Sequence, residues 1–143
     1  MKKKSKIENY VKLFESLNLE NLHKFDKLLD ENIYFEDPFN KVYGIKNFKR
    51  IFSNTLKKLD NVEFNVLNII SKNNIYIIKW EMIYFAFNKN NSIFGLSEVT
   101  IGANKKIVSH IDYWDSYNNF YTKIPLFGQI FKFPKFKDSN IFI

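Results

Sequence analysis

Ile107-Val108-Ser109-His110-Ile111-Asp112-Tyr113-Trp114-Asp115 reads as a β-strand carrying two ionisable groups on an otherwise apolar ribbon. Successive strand side chains point to opposite faces, so His110, Asp112 and Trp114 share one face, while Ile111 and Tyr113 share the other. A histidine and a carboxylate beside a tryptophan are costly to bury without a partner or a purpose. Two residues of strand place the two side chains roughly 7 Å apart, so direct contact needs help from the rotamers.

The same period of two extends upstream. Val62–Ser71, Ile75–Phe87, Ile93–Ile101 and Lys106–Trp114 read as four long strands. Turn-rich Lys72-Asn73-Asn74, Asn88-Lys89-Asn90-Asn91 and Gly102-Ala103-Asn104-Lys105 separate them. Spacers this short favour hairpins and an antiparallel meander. Earlier still, the period is helical. Ile7, Tyr10, Val11, Phe14 and Leu17 mark one amphipathic helix, and Leu22, Phe25, Leu28 and Leu29 a shorter second one. Ile33-Tyr34-Phe35-Glu36-Asp37 is a short strand that Pro38 ends. Gly44 precedes a third helix with Ile45, Phe48, Ile51, Phe52, Leu56 and Leu59 on its apolar stripe. The order α-α-β-α-β-β-β-β predicts an α+β domain, with three N-terminal helices packed on a strongly curved, mostly antiparallel sheet. Such a sheet can curl around a cone-shaped cavity.

At 143 residues the chain fits one domain, large enough to bury a core. Its 16 Phe and 8 Tyr argue against disorder. The sequence contains no cysteine, which removes disulfides, thiol catalysis and thiolate metal sites and suits a reducing compartment. Met1-Lys2-Lys3-Lys4-Ser5-Lys6 is basic but leads into Ile7-Glu8-Asn9-Tyr10 and not an apolar run, so a soluble cytoplasmic protein without membrane insertion is expected. The formal charge of +7 rests on lysines spread along the chain, with Arg50 the sole arginine; nucleic-acid binding is therefore not expected. Two histidines, His23 and His110, show no ligand spacing, and four glycines form no phosphate loop, so neither a metal nor a cofactor is implied.

That element order, with Phe35-Glu36-Asp37-Pro38 and the later Gly44, resembles the nuclear transport factor 2-like superfamily. The His110–Asp115 strand and the tail after it look like the SnoaL-like branch, related to ketosteroid isomerases and polyketide cyclases. The similarity runs from about Ile7 to about Phe131. It implies a cone-shaped α+β barrel and one domain over 1–143, with 115–143 as an extension covering the cavity or contacting a second subunit. In ketosteroid isomerases the aspartate of this Glu-Asp-Pro motif is the general base, the place Asp37 takes. Their oxyanion-hole tyrosine falls on Leu13, one turn after Tyr10, and their sheet aspartate falls near Ser97, with Glu98 beside it. Neither donor is present at those positions, so steroid isomerase activity is not implied. SnoaL-type cyclases place an acid/base aspartate on the last strand, which points to Asp112.

Asp112, His110 and Asp37 are thus the candidate catalytic residues. A carboxylate taken out of water among Phe, Ile and Trp is a better base near neutrality, and His110 could share or orient its proton. Alternatively, the pair belongs to a satisfied structural network, and Asp37 caps an Asx-turn before Pro38. Trp114, Trp80, Met82, Tyr84 and Tyr10 are the candidate ligand-binding residues; packing in the core is the other role open to them. The C-terminal aromatics from Tyr117 to Phe136, interleaved with Lys123, Lys132, Lys135 and Lys137, suggest a lid, a dimer contact or a membrane-surface patch. Two functions follow. One is a cofactor-independent isomerase, cyclase or dehydratase acting on a hydrophobic small molecule, within an expected homodimer. The other is a non-catalytic ligand-binding or protein-interaction module.

Overall fold

A computed structural model describes residues 5–121. The helix α1 spans Lys6–Glu15, and a 3-10 helix spans Leu22–Lys27. Strands β1 (Leu29–Glu36) and β2 (Lys41–Tyr43) follow, then α2 (Ile45–Lys58). Four long strands complete the sheet: β3 (Asp60–Lys72), β4 (Ile75–Ala86), β5 (Lys89–Ile101) and β6 (Ile107–Trp114). A short α3 spans Ser116–Asn119.

The six strands lie in the order β2-β1-β6-β5-β4-β3. All neighbours are antiparallel except β1 and β6, whose parallel pairing sets Phe35 beside His110. The α+β class and the mostly antiparallel curved sheet match the sequence reading. The second N-terminal helix is a 3-10 turn, and β2 is an additional short strand.

Curvature comes from irregular pairing. In β3 the register with β4 slips between Asp60 and Glu63 and again between Val66 and Asn68, and such bulges bend a strand. Two hairpin turns are tight. Asn73 (φ 56°) lies in the turn that joins β3 to β4, and Phe87 (φ 54°) with Asn88 (φ 59°) joins β4 to β5. Paired positive φ values match the right-handed twist of hairpin strands. Strand β5 accordingly begins at Lys89, earlier than its alternation suggested.

The helices close one side of the curl. Ser5 caps α1, accepting from the Glu8 N–H while the Glu8 carboxylate accepts from the Ser5 N–H. Gly44 starts α2 at φ 88°, a conformation that favours glycine, and its N–H donates to the Ile33 carbonyl. The narrow end is filled by rings: Phe25, Phe48, Phe52, Phe14 and Phe35 pack with centroids 4.8–6.5 Å apart. Toward the wide end this packing gives way to open space.

Candidate functional site

That space is a cavity of about 500 Å³ between the concave face of the sheet, α1 and α2. Phe14, Phe35, Phe64, Val66, Ile78 and Ile93 form much of its wall. Lining side chains that are themselves buried, Tyr10, Ile78, Ser97 and His110, mark its depth. Exposed lining residues, Phe39, Phe87, Asn54 and Lys58, mark its opening.

At depth a chain of hydrogen bonds converges on one carboxylate oxygen. The indole N–H of Trp80 donates to Ser97 Oγ at 2.7 Å, and the Ser97 hydroxyl donates to Asp112 Oδ1. His110 Nε2 lies 2.7 Å from the same Oδ1. His110 Nδ1 lies 2.6 Å from the Tyr10 hydroxyl. A carboxylate can only accept, so the imidazole donates through Nε2–H; its bare Nδ1 then accepts from the Tyr10 O–H. This neutral tautomer satisfies every member. Among the described residues no buried side-chain polar atom lacks a partner. Asp112 lines the cavity, and its Oδ2 accepts no hydrogen bond from a described residue.

The sequence explains why these groups meet. Alternation on β6 turns His110 and Asp112 inward together, and the β5 register sets Ser97 opposite Asp112 and Val99 opposite His110. The 7 Å expected between imidazole and acid is closed by their rotamers, giving direct contact. Around the imidazole stand the rings of Tyr10, Phe14, Phe35 and Phe48, with centroids 5.3–6.0 Å away. Burial pushes the Tyr10 phenol well above its ordinary pKa, and the Asp112 charge adds to the shift.

Asp37 also reaches the cavity wall, but its oxygens are engaged in a turn. Oδ1 accepts from the Phe39 N–H at 2.8 Å and the Asn40 N–H at 2.7 Å, and the Asn40 amide adds a further bond to each oxygen. The Asx-turn alternative therefore describes its hydrogen bonding. Partial burial raises its pKa, opposed by the bonds from Phe39 and Asn40, and the Asp112 charge raises it further.

The five residues expected to bind ligand all line the cavity: Trp114, Trp80, Met82, Tyr84 and Tyr10. Two are committed to protein partners. Tyr10 spends its hydroxyl on His110, and Trp80 its N–H on Ser97. Tyr84 is buried, its pKa is raised by desolvation, and its hydroxyl lies 3.5 Å from the Asn119 carbonyl. Trp114 packs edge-on against Phe39 at 5.3 Å. Ser97, where the resemblance sets the isomerases' sheet aspartate, was given no role from the sequence; its position opposite Asp112 on β5 supplies one.

Phe120 joins the cavity wall and packs on Phe39 at 5.2 Å. The rest of the suggested lid, dimer contact or membrane patch, from residue 122 onward, lies outside the described residues. Among the described residues no group of three or more His, Asp or Glu could hold a metal ion, and no helix is long and apolar enough to cross a membrane.

A curved sheet wrapped around an apolar cavity, with an acid–imidazole pair at its depth, defines a cone-shaped barrel of the nuclear transport factor 2-like type. The chain belongs to the family described as "Uncharacterized conserved protein (DUF2358)", which it matches over residues 6–110. Solved structures share the fold at low identity. An NTF2-like protein of unknown function from Exiguobacterium sp. 255-15 is 14% identical, with 78% of this chain and 98% of that chain covered and a TM-score of 0.67. An LEH-like epoxide hydrolase from M. tuberculosis is 13% identical, with 80% of this chain and 79% of that chain covered and a TM-score of 0.65. A SnoaL-like family protein from Agrobacterium tumefaciens C58 is 15% identical, with 77% and 94% covered and a TM-score of 0.65. No curated protein matches the sequence.

Proposed function

We propose that this protein is a cofactor-independent acid/base catalyst of the isomerase, cyclase or dehydratase kind, acting on a hydrophobic carbonyl compound in the cytoplasm. Asp112 is the proton-transferring group. One observation carries the reading: Asp112 lines the cavity with Oδ1 held by His110 and Ser97, while Oδ2 accepts no hydrogen bond from a described residue. A base fixed on one oxygen and open on the other is oriented before substrate arrives, which lowers the cost of reaching the reactive geometry. His110, held by Tyr10, keeps the acid in place and can relay a proton to it. Asp37, whose proton is retained to higher pH than usual, is a second donor near the opening. Trp114, Trp80, Met82, Tyr84 and Tyr10 shape the apolar walls.

The test is proton exchange. A panel of enolisable apolar ketones in D₂O is followed by NMR with and without protein. Accelerated loss of the α-proton signal is expected, falling about 10²–10⁴-fold in Asp112→Asn. No acceleration by the native protein, or full activity in the variant, would overturn catalysis by Asp112.

A non-catalytic binding or dimerisation module is the second reading. It is favoured by the apolar outer face of the sheet, where Phe94, Leu96, Tyr113 and Tyr43 are 43–69% exposed. Such a contiguous face suits burial against a second copy.

A further inference from the structure

The cavity holds a carboxylate at its depth and a cation at its opening. Asp112 stands with Tyr10, Ser97 and His110 at the inner end, and Asp37 stands nearer the opening, its oxygens taken by donors of Phe39 and Asn40. Among the described residues, the one lysine or arginine in the lining is Lys58, in the last turn of α2 at the opening. Asn54 lies four residues earlier on the same helix, so the two side chains share a face. Both are exposed and both line the cavity. Among the described residues neither has an ion-pair or side-chain hydrogen-bond partner. Exposed Phe39 and Phe87 also line the cavity at this end, and Phe120 packs on Phe39.

From this arrangement we infer that the ligand is an apolar carboxylic acid, bound with its carboxylate at the opening on Lys58 and Asn54 and its hydrocarbon body inward. The inference rests on the reading of the cavity as a ligand site and names the class of ligand. An anion cannot approach Asp112 at the inner end without like-charge repulsion, so a molecule with one anionic end enters apolar end first. An ammonium and an amide N–H₂ on one helix face supply the donors that a carboxylate accepts. With the acid fixed outside, the inner part of the ligand is delivered to Asp112 Oδ2.

Both tryptophans of the chain, Trp80 and Trp114, line the cavity, so intrinsic fluorescence reports its filling. Decanoate and decan-1-ol are titrated into the full-length protein at low salt, then into Lys58→Met. Decanoate is expected to bind about 10-fold more tightly than the alcohol, with the preference fading as salt rises. In Lys58→Met the preference should disappear while decanol affinity stays. Equal binding of both probes to the native protein, or a preference that survives the substitution, would overturn the acid-binding site and leave the apolar cavity standing. Fluorescence unmoved by either probe would overturn both.

Discussion

The hydroxyl of Tyr10 lies 2.6 Å from Nδ1 of His110, a bond that joins residues 100 apart in the chain and pins α1 to β6. Both partners are buried, at 1% and 4% exposure. Tyr10→Phe should therefore cost about 1–3 kcal/mol in stability, because a buried acceptor is left unpaired. Urea unfolding measures this. A cost below about 0.5 kcal/mol would show that the bond contributes little.

Ser97 works in two directions, accepting from Trp80 and donating to Asp112. Ser97→Ala leaves the indole N–H without its acceptor and frees Asp112 from one of its two anchors. Stability should fall by about 1–3 kcal/mol, and tryptophan emission should shift. If proton exchange by Asp112 is the activity, it should drop with binding of apolar probes unchanged. Unchanged exchange would remove Ser97 from the positioning of Asp112.

Gly95 makes room for Trp80. A Cβ built there would lie 2.3–2.9 Å from three atoms of the indole ring. Gly95→Ala should displace the ring, break its bond to Ser97 and destabilise the fold by about 1–3 kcal/mol. Thermal unfolding and tryptophan fluorescence together check this, since a stable variant with native emission contradicts it.

Asp37 gives a pH signature. Its pKa is raised in the folded state, by burial first and the Asp112 charge last. Folding therefore favours the protonated acid. That contribution is complete below the unfolded pKa and disappears as pH rises through the folded one. Asp37→Asn removes the titration, so its stability relative to the native protein should improve between pH 3.5 and pH 7, windows set around the ordinary carboxylate value of 3.8. Parallel pH profiles for the two proteins would contradict the raised value.

The outer sheet face predicts an oligomer. Leu96 pairs with Tyr113 across β5 and β6, and both are exposed. Leu96→Glu places a charge in the middle of that face and should convert a dimer to a monomer in light scattering at micromolar concentration. A native protein that is already monomeric removes the dimer from the proposal.

Much of the architecture was legible in the chain because the signals are local. Alternation over residues 60–114 revealed the long strands, helical spacing over residues 7–17 and 45–59 revealed α1 and α2, and Asn-rich spacers revealed the hairpins. Alternation also placed His110, Asp112 and Trp114 on one face. Strand β2 was missed because three residues carry no period. The 3-10 turn at Leu22–Lys27 read as an ordinary helix because its apolar spacing is compatible with both. The parallel pairing of β1 with β6 was not legible, since hairpin logic links only strands adjacent in sequence.

For the site, the sequence alone determined which side chains share a face and which residue types could exchange a proton. The folded arrangement decided the rest: that Oδ1 of Asp112 is occupied and Oδ2 open, that Tyr10 belongs to His110, that Asp37 is drawn into a turn, and that Lys58 stands at the opening. The physical reason is range. Side-chain direction along a strand or helix follows from backbone geometry a few residues at a time. Partnership between α1, β5 and β6 depends on register and docking across the whole domain, and one residue of slip would turn every inward group outward.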